Sequence, residues 1–205
     1  MEVEGVKLAL DVISDISSID DVVKIVKGVS DYTFKRKLES FVMGINTNPK
    51  ARAKFIAKMR EDGKEEIYAI RIVELINRVE DIQKMRFINN LTAAFLVDFI
   101  DKEAYFRMFT LITDCIYEDL KYLQDHIEEK DLNYSNNVQA LFSCGLMYQS
   151  RISQDGEAVY SFTPIARMLD IWALSYDDVD KHPDPTKEGM LEVPRTDIKA
   201  MGVWG

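Results

Sequence analysis

Histidine and cysteine are scarce in this 205-residue chain, two of each, and neither type is clustered. His126 and His182 stand apart, with no ExxH, HExxH or paired-cysteine spacing, so no metal site is expected. Asp114 with Glu118, and Asp125 beside His126, are read as solvated helix faces. Cys115 and Cys144 make no CxxC and no disulfide framework, and free thiols in a reducing cytoplasm are the expectation. The nine glycines are scattered, with Gly44 and Gly63 read as isolated joints between helices, so no loop can cradle a phosphate. No apolar run approaches the ~18 residues of a membrane span. The opening MEVEGVKLALDVISDISS has neither the basic n-region nor the small-residue cleavage site of a signal peptide. Membrane attachment and export are therefore not expected. Nucleophilic catalysis wants a Ser or Cys beside a His and a carboxylate. Cys144 beside Gly145 is the one candidate, and a small residue before a capping glycine explains it equally well. No catalytic residue, cofactor or metal is expected.

What the chain does have is apolar material and charge. Hydrophobic residues make up 47% and charged residues 30%, a globular composition able to bury a core. The net charge of -9 opposes non-specific binding to nucleic acid and to anionic lipid. That charge is uneven. Residues 24–64 hold eleven Lys or Arg against four acids, while 1–23, 65–130 and 131–205 are each acidic. Such asymmetry marks an interaction face or, more blandly, basic helices packed on acidic ones.

Most of the chain carries helical periodicity. Residues 3–13 are compatible with a short amphipathic helix, and Asp20-Asp21 can open a longer one that Gly28 either bends or leaves intact. Asn48-Pro49, a capping oxygen followed by a proline at the first helical position, opens a helix running to Gly63. Glu65-Glu66 begins the next, with Ile67, Ile70, Ile72, Val73, Leu75, Ile76 and Val79 as its stripe. Ile82, Met85, Ile88, Leu91, Phe95, Leu96 and Phe99 form another. Asp101-Lys102-Glu103 is read as a polar connector into a single helix that keeps Phe106, Phe109, Ile112, Ile116, Leu120 and Leu123 on one face. The last two stripes predict an antiparallel helical hairpin as the core of a mainly α bundle.

The period changes after residue 131. Tyr134-Ser135-Asn136 offers N-cap oxygens for a short helix with Val138, Leu141 and Phe142 as apolar positions, and Gly145 can take the left-handed cap that ends it. Two β-rich runs, 146–152 and 158–162, flank Gln154-Asp155-Gly156, a strong hairpin signal. Thr163-Pro164 restarts a helix. The division expected is a helical part over 1–130, a helix–hairpin–helix unit over 131–174 and an acidic, proline-bearing tail over 175–205. Trp204, near the end of that tail, is apolar enough to dock on the parent fold or on another subunit.

The series Leu141, Gly145-Leu146, the hairpin, Tyr160, Phe162-Thr163-Pro164 and Leu169 resembles the second half of a winged-helix domain. Winged helices that bind DNA load this helix and wing with Lys and Arg. Here 135–143 has no basic residue, and the wing has only Arg151 against Asp155 and Glu157. A wider resemblance rests on the run Tyr32 to Leu38, the segment Lys54 to Gly63, the connector Ile76 to Asp81, Ala93 to Leu96 and Glu118 to Leu123. In these the chain is similar to a group of uncharacterised helical proteins from bacteria and their phages that finish in a winged-helix-like unit. That resemblance implies a helical fold and a microbial or prophage setting, and carries no catalytic residues.

The function expected is a non-enzymatic binding or regulatory module that engages a protein partner or its own copy. Its candidate contacts are Lys35, Arg36, Lys37, Arg52, Lys58, Arg60 and Trp204. A DNA-associated regulator touching phosphate through the same basic run is the alternative. An enzyme with a site built from dispersed carboxylates is the third class, and a deep pocket holding carboxylates of raised pKa would reveal it.

Overall fold

Two helices joined by a short turn organise the molecule. α4 (Lys84–Leu96) and α5 (Lys102–Asp114) run antiparallel, because Thr92 and Phe95 at the end of one meet Tyr105 at the start of the other. Lys84, at the opposite end, reaches the carbonyls of Thr113 and Cys115. The structure, a computed structural model, describes residues 32–45 and 49–177. The helical readings at 3–13 and 20–31, with Gly28, lie outside those residues, as do Asn48 and the tail beyond Asp177.

Around that hairpin stand α1 (Tyr32–Ile45), α2 (Pro49–Arg60) and α3 (Glu65–Arg78). α1 buries Leu38, Phe41, Val42 and Ile45, three and four apart, against α4 and α3. An aromatic cluster of Phe41, Phe55, Phe95, Tyr105 and Phe109 fills the centre with mostly edge-to-face contacts. Gly63, at φ +68°, turns the chain between α2 and α3. Gly44, expected between helices, instead sits in the last turn of α1, where a Cβ would meet the Asn89 amide at 2.5 Å. Glycine is there because α1 lies so close to α4.

Two readings of this region need correction. Asp101-Lys102-Glu103 is not a connector: Asp101 caps α5 by accepting from the Ala104 amide at 2.8 Å, and Lys102 and Glu103 form its first turn. The long helix expected through Ile116 is also two. α5 ends at Cys115 (ψ 145°), and α6 (Tyr117–His126) begins after an extended Ile116 (ψ 158°). No glycine or proline causes the break. The fully buried ammonium of Lys84 captures the Cys115 carbonyl, with the Thr113 carbonyl at 3.4 Å, so carbonyls at the end of α5 find a donor there instead of in a following turn. Ile116, set down as core, is half exposed, as are Ile67 and, to a lesser degree, Ile82 and Phe99.

The C-terminal part follows its local signals closely. Ser135 caps α7 (Asn136–Ser143) by accepting from the Val138 amide, and Gly145 is left-handed at φ +76°. Strands β2 (Met147–Ile152) and β3 (Ala158–Phe162) pair around Gly156, at φ +83°. A bulge at Ser150 shifts their register. The sequence did not reveal β1 (Leu132–Asn133), which joins antiparallel to β3 and makes the order β1-β3-β2. Thr163 caps α8 (Pro164–Leu169) with proline at its start. Expected to continue to Leu174, that helix instead widens into a π-helical turn, Asp170–Leu174, closed by the Ser175 amide on the Asp170 carbonyl at 2.7 Å. The turn buries Trp172, Ala173 and Leu174 together, Trp172 stacking on Phe99 at 4.7 Å. Asn90 and Gln124 donate to the Ala173 and Leu174 carbonyls and fix it to α4 and α6. One connected set of buried residues runs from Leu38 to Leu174. Among the described residues no helix is long and apolar enough to cross a membrane.

Candidate functional site

The basic run divides once it is folded. Arg36 and Arg60 are exposed, and Lys35 and Arg52 are half-buried. Arg36 lies over the Tyr32 ring at 5.9 Å. Lys37 faces inward: only 5% exposed, its ammonium donates to the Asn77 and Val79 carbonyls at 3.0 and 2.7 Å and so caps the end of α3. Lys58 is engaged with Asp98 at 2.5 Å and lies over the Phe95 ring at 4.3 Å. Trp204 lies outside the described residues.

Asp98 was invisible in the sequence, and it is the one non-glycine residue with positive φ, +67°, among those described. It stands just past α4, where its amide returns to the Phe95 carbonyl and that of Phe99 to Ala94, the double hydrogen bond of a Schellman ending. Glycine is the usual residue at this position. Asp98 is held there by Lys54 and Lys58, one on each carboxylate oxygen, and their hydrogen bonds lower its pKa to about 2. Beside it, Asp62 accepts from the Tyr68 hydroxyl at 2.5 Å, which lowers the carboxyl pKa and raises the phenol's. Lys58, Glu61, Phe95, Asp98, Ile100, Asp101 and Lys102 line a half-open depression of about 200 Å³. Asp98 is shifted downward there, the wrong direction for a general acid at neutral pH.

A second region lies at the free end of the sheet. Pairing places Leu132, Tyr160 and Gln149 in one row and Ala158 with Ile152 in the next, all on one face by strand alternation. Nearer α8 that face is core, with Met147 and Phe162 buried. At the other end it opens. Phe142 of α7 meets Tyr160 edge-on at 5.5 Å yet stays 40% exposed, Ile152 is 65% exposed, and Tyr134, two residues beyond Leu132, is 63% exposed. The reverse face carries polar contacts, Arg151 forking onto Asp131 and the Ser161 hydroxyl donating to the Lys130 carbonyl, beside a Tyr148 that is 44% exposed. Phe142 was expected inside the fold. Its helix has only two turns, and Val138 and Leu141 suffice to fill the contact beneath it.

No family model, no curated protein and no solved structure matches this chain. Its chemistry is read from its own residues. Among those described, no group of three or more His, Cys, Asp or Glu could hold a metal. Burial raises the pKa of Asp119, and its carboxylate accepts from the Asn137 amide at 3.0 Å between α6 and α7.

Proposed function

We propose that this chain is a non-enzymatic binding or regulatory protein that works through contact with another protein. The observation that supports this most is the open end of the sheet, where Tyr134, Phe142 and Ile152 expose large apolar side chains around Tyr160. Folded chains keep clustered apolar surface mainly where something covers it, and aromatic residues are enriched in such contacts. Strand β2 is the sheet's edge and adds unpaired backbone groups to the same region, so an extended partner segment can pair with it while its side chains meet the apolar patch. The arrangement α7, β2, β3, α8 supports a winged-helix-like unit used for protein contact, and the prophage or mobile-element setting is proposed on the resemblance of the sequence alone.

Contact with nucleic acid is the second reading, carried by Arg36 and Arg60 on the helical part, since α7 has no Lys or Arg. Affinity capture of the full chain from a nuclease-treated lysate of its host separates the two, using the variants Phe142→Ser/Ile152→Glu and Arg36→Glu/Arg60→Glu. Lys37 is left intact because its side chain is structural. A partner lost only with the first variant carries the proposal. Capture that depends on the basic residues, or that disappears with nuclease, moves the nucleic-acid reading into its place.

A further inference from the structure

We propose that the apolar patch at the open end of the sheet is where two copies of this chain meet, face on face about a two-fold axis. The proposal rests on the reading of that patch as a protein-contact surface and names the partner. What selects a second copy is the distribution of charge. The chain carries a net charge of -9, so two copies repel wherever their charged surfaces approach. The patch is free of that obstacle. Leu132, Tyr160, Gln149, Ala158 and Ile152 share its face, and α7, which adds Phe142, has no Asp, Glu, Lys or Arg. Arg151, next to Ile152 in β2, is turned to the reverse face and forks onto Asp131.

A two-fold contact sets each group against its own copy or against a close neighbour of it. Charged groups fail in that geometry because like meets like. Apolar groups succeed, and so do amides, which both donate and accept. The polar side chains beside the patch are amides: Gln149 is exposed in the row of Tyr160, and Gln139 is exposed one turn before Phe142 on α7. The other route to self-association would lay the basic helices of one copy on the acidic surface of the next. The fold weakens that route, since Lys37 is turned inward to cap α3 and Lys54 and Lys58 both hold Asp98. Asp155 and Glu157 stand in the turn beyond Ile152, so the contact has like charge at its rim, and salt screens the repulsion it causes.

Sedimentation velocity of the full chain, from about 1 to about 500 µM, reads the equilibrium between monomer and dimer. The expected result is a dimer that tightens about threefold or more as salt rises from about 0.05 to about 0.5 M, because screening removes repulsion and leaves apolar burial intact. Phe142→Ser/Ile152→Glu should weaken it about a hundredfold or more by setting a carboxylate against its own copy. Tyr134→Glu, at an exposed position after β1, is the second variant if the first loses helical content by circular dichroism. A chain that stays monomeric, while the same variant still loses a protein captured from the nuclease-treated lysate, overturns the second copy and leaves the patch as a contact surface. A dimer indifferent to both variants overturns the proposal by placing the contact elsewhere. Dimerisation that salt weakens, or that Arg36→Glu/Arg60→Glu abolishes, overturns it by placing the contact on the basic helices.

Discussion

Two helices of this protein end in the same backbone motif with different residues. After α7, Gly145 is left-handed at φ +76°, its amide bonding the Phe142 carbonyl and that of Leu146 bonding Leu141. After α4, Asp98 at φ +67° repeats the pattern on Phe95 and Ala94. Glycine takes this conformation freely, whereas an L side chain costs about 1–2 kcal/mol, less for the short polar Asp. The carboxylate also sits at the negative end of the α4 dipole. What keeps it there is Lys54 and Lys58, both from α2. The ending of α7 is a local matter of one residue; that of α4 doubles as the tie between α2 and the central hairpin. The end of α5 is a third solution, in which a buried lysine from a distant turn takes the carbonyls.

The comparison can be broken at each end. Lys84→Met should have the largest effect, about 3 kcal/mol or more lost in chemical denaturation, because it strips the donor from buried carbonyls at the α5–α6 break. Loss below about 1 kcal/mol would mean that the break needs no lysine. Gly145→Ala should cost about 1 kcal/mol, the left-handed penalty less the entropy that alanine removes from the unfolded chain. Asp98→Ala should lose a similar amount by keeping the strain and dropping the ion pairs, with Asp98→Gly falling between it and the wild type. The alanine-to-glycine difference should match at 98 and 145, and two unequal differences would show that the endings are not energetically alike.

The smallest effect is in pH. Asp98 titrates at about 2, below its unfolded value near 4, so its contribution is present above pH 4 and fades as pH falls toward 2. Asp119 has the opposite sign. Its burial raises the pKa, so its ionised form destabilises the fold at neutral pH, and protonation on acidification relieves that cost. Asp119→Asn should thus leave stability at pH 7 unchanged or slightly higher, while Asp98→Asn lowers it and flattens the profile between pH 4 and 2. Urea midpoints from pH 2 to 7 would check both signs.

How much of this was legible depends on where each cause lies along the chain. Gly145, Asp155-Gly156 and Thr163-Pro164 act within three or four residues of themselves, and the structure places each in its expected role, while Ser135 is the one of Tyr134-Ser135-Asn136 that supplies the cap. The α5–α6 break was hidden because Ile112, Ile116 and Leu120 continue a helical spacing straight across it, while its cause, Lys84, is 31 residues from Cys115. Lys37 looked like surface charge because the carbonyls it caps are 40 and 42 residues away. β1 is two residues long, too short for alternation to register. The apolar patch is assembled from α7, β2 and the end of β1, so no window of sequence contains it. Asp98 had no local signal, since nothing beside it announces two lysines arriving from α2.

Lys84 also bears on the order in which the chain folds. An ammonium with no exposure in the native state has to shed its water, and the Thr113 and Cys115 carbonyls offset that loss together with the Glu80 carboxylate one turn away. The first turn of α4 and the last turn of α5 are thus coupled through one buried side chain. In a half-formed hairpin that ammonium stays in water beside Glu80, so the carbonyl contacts are made only as the two ends close on each other.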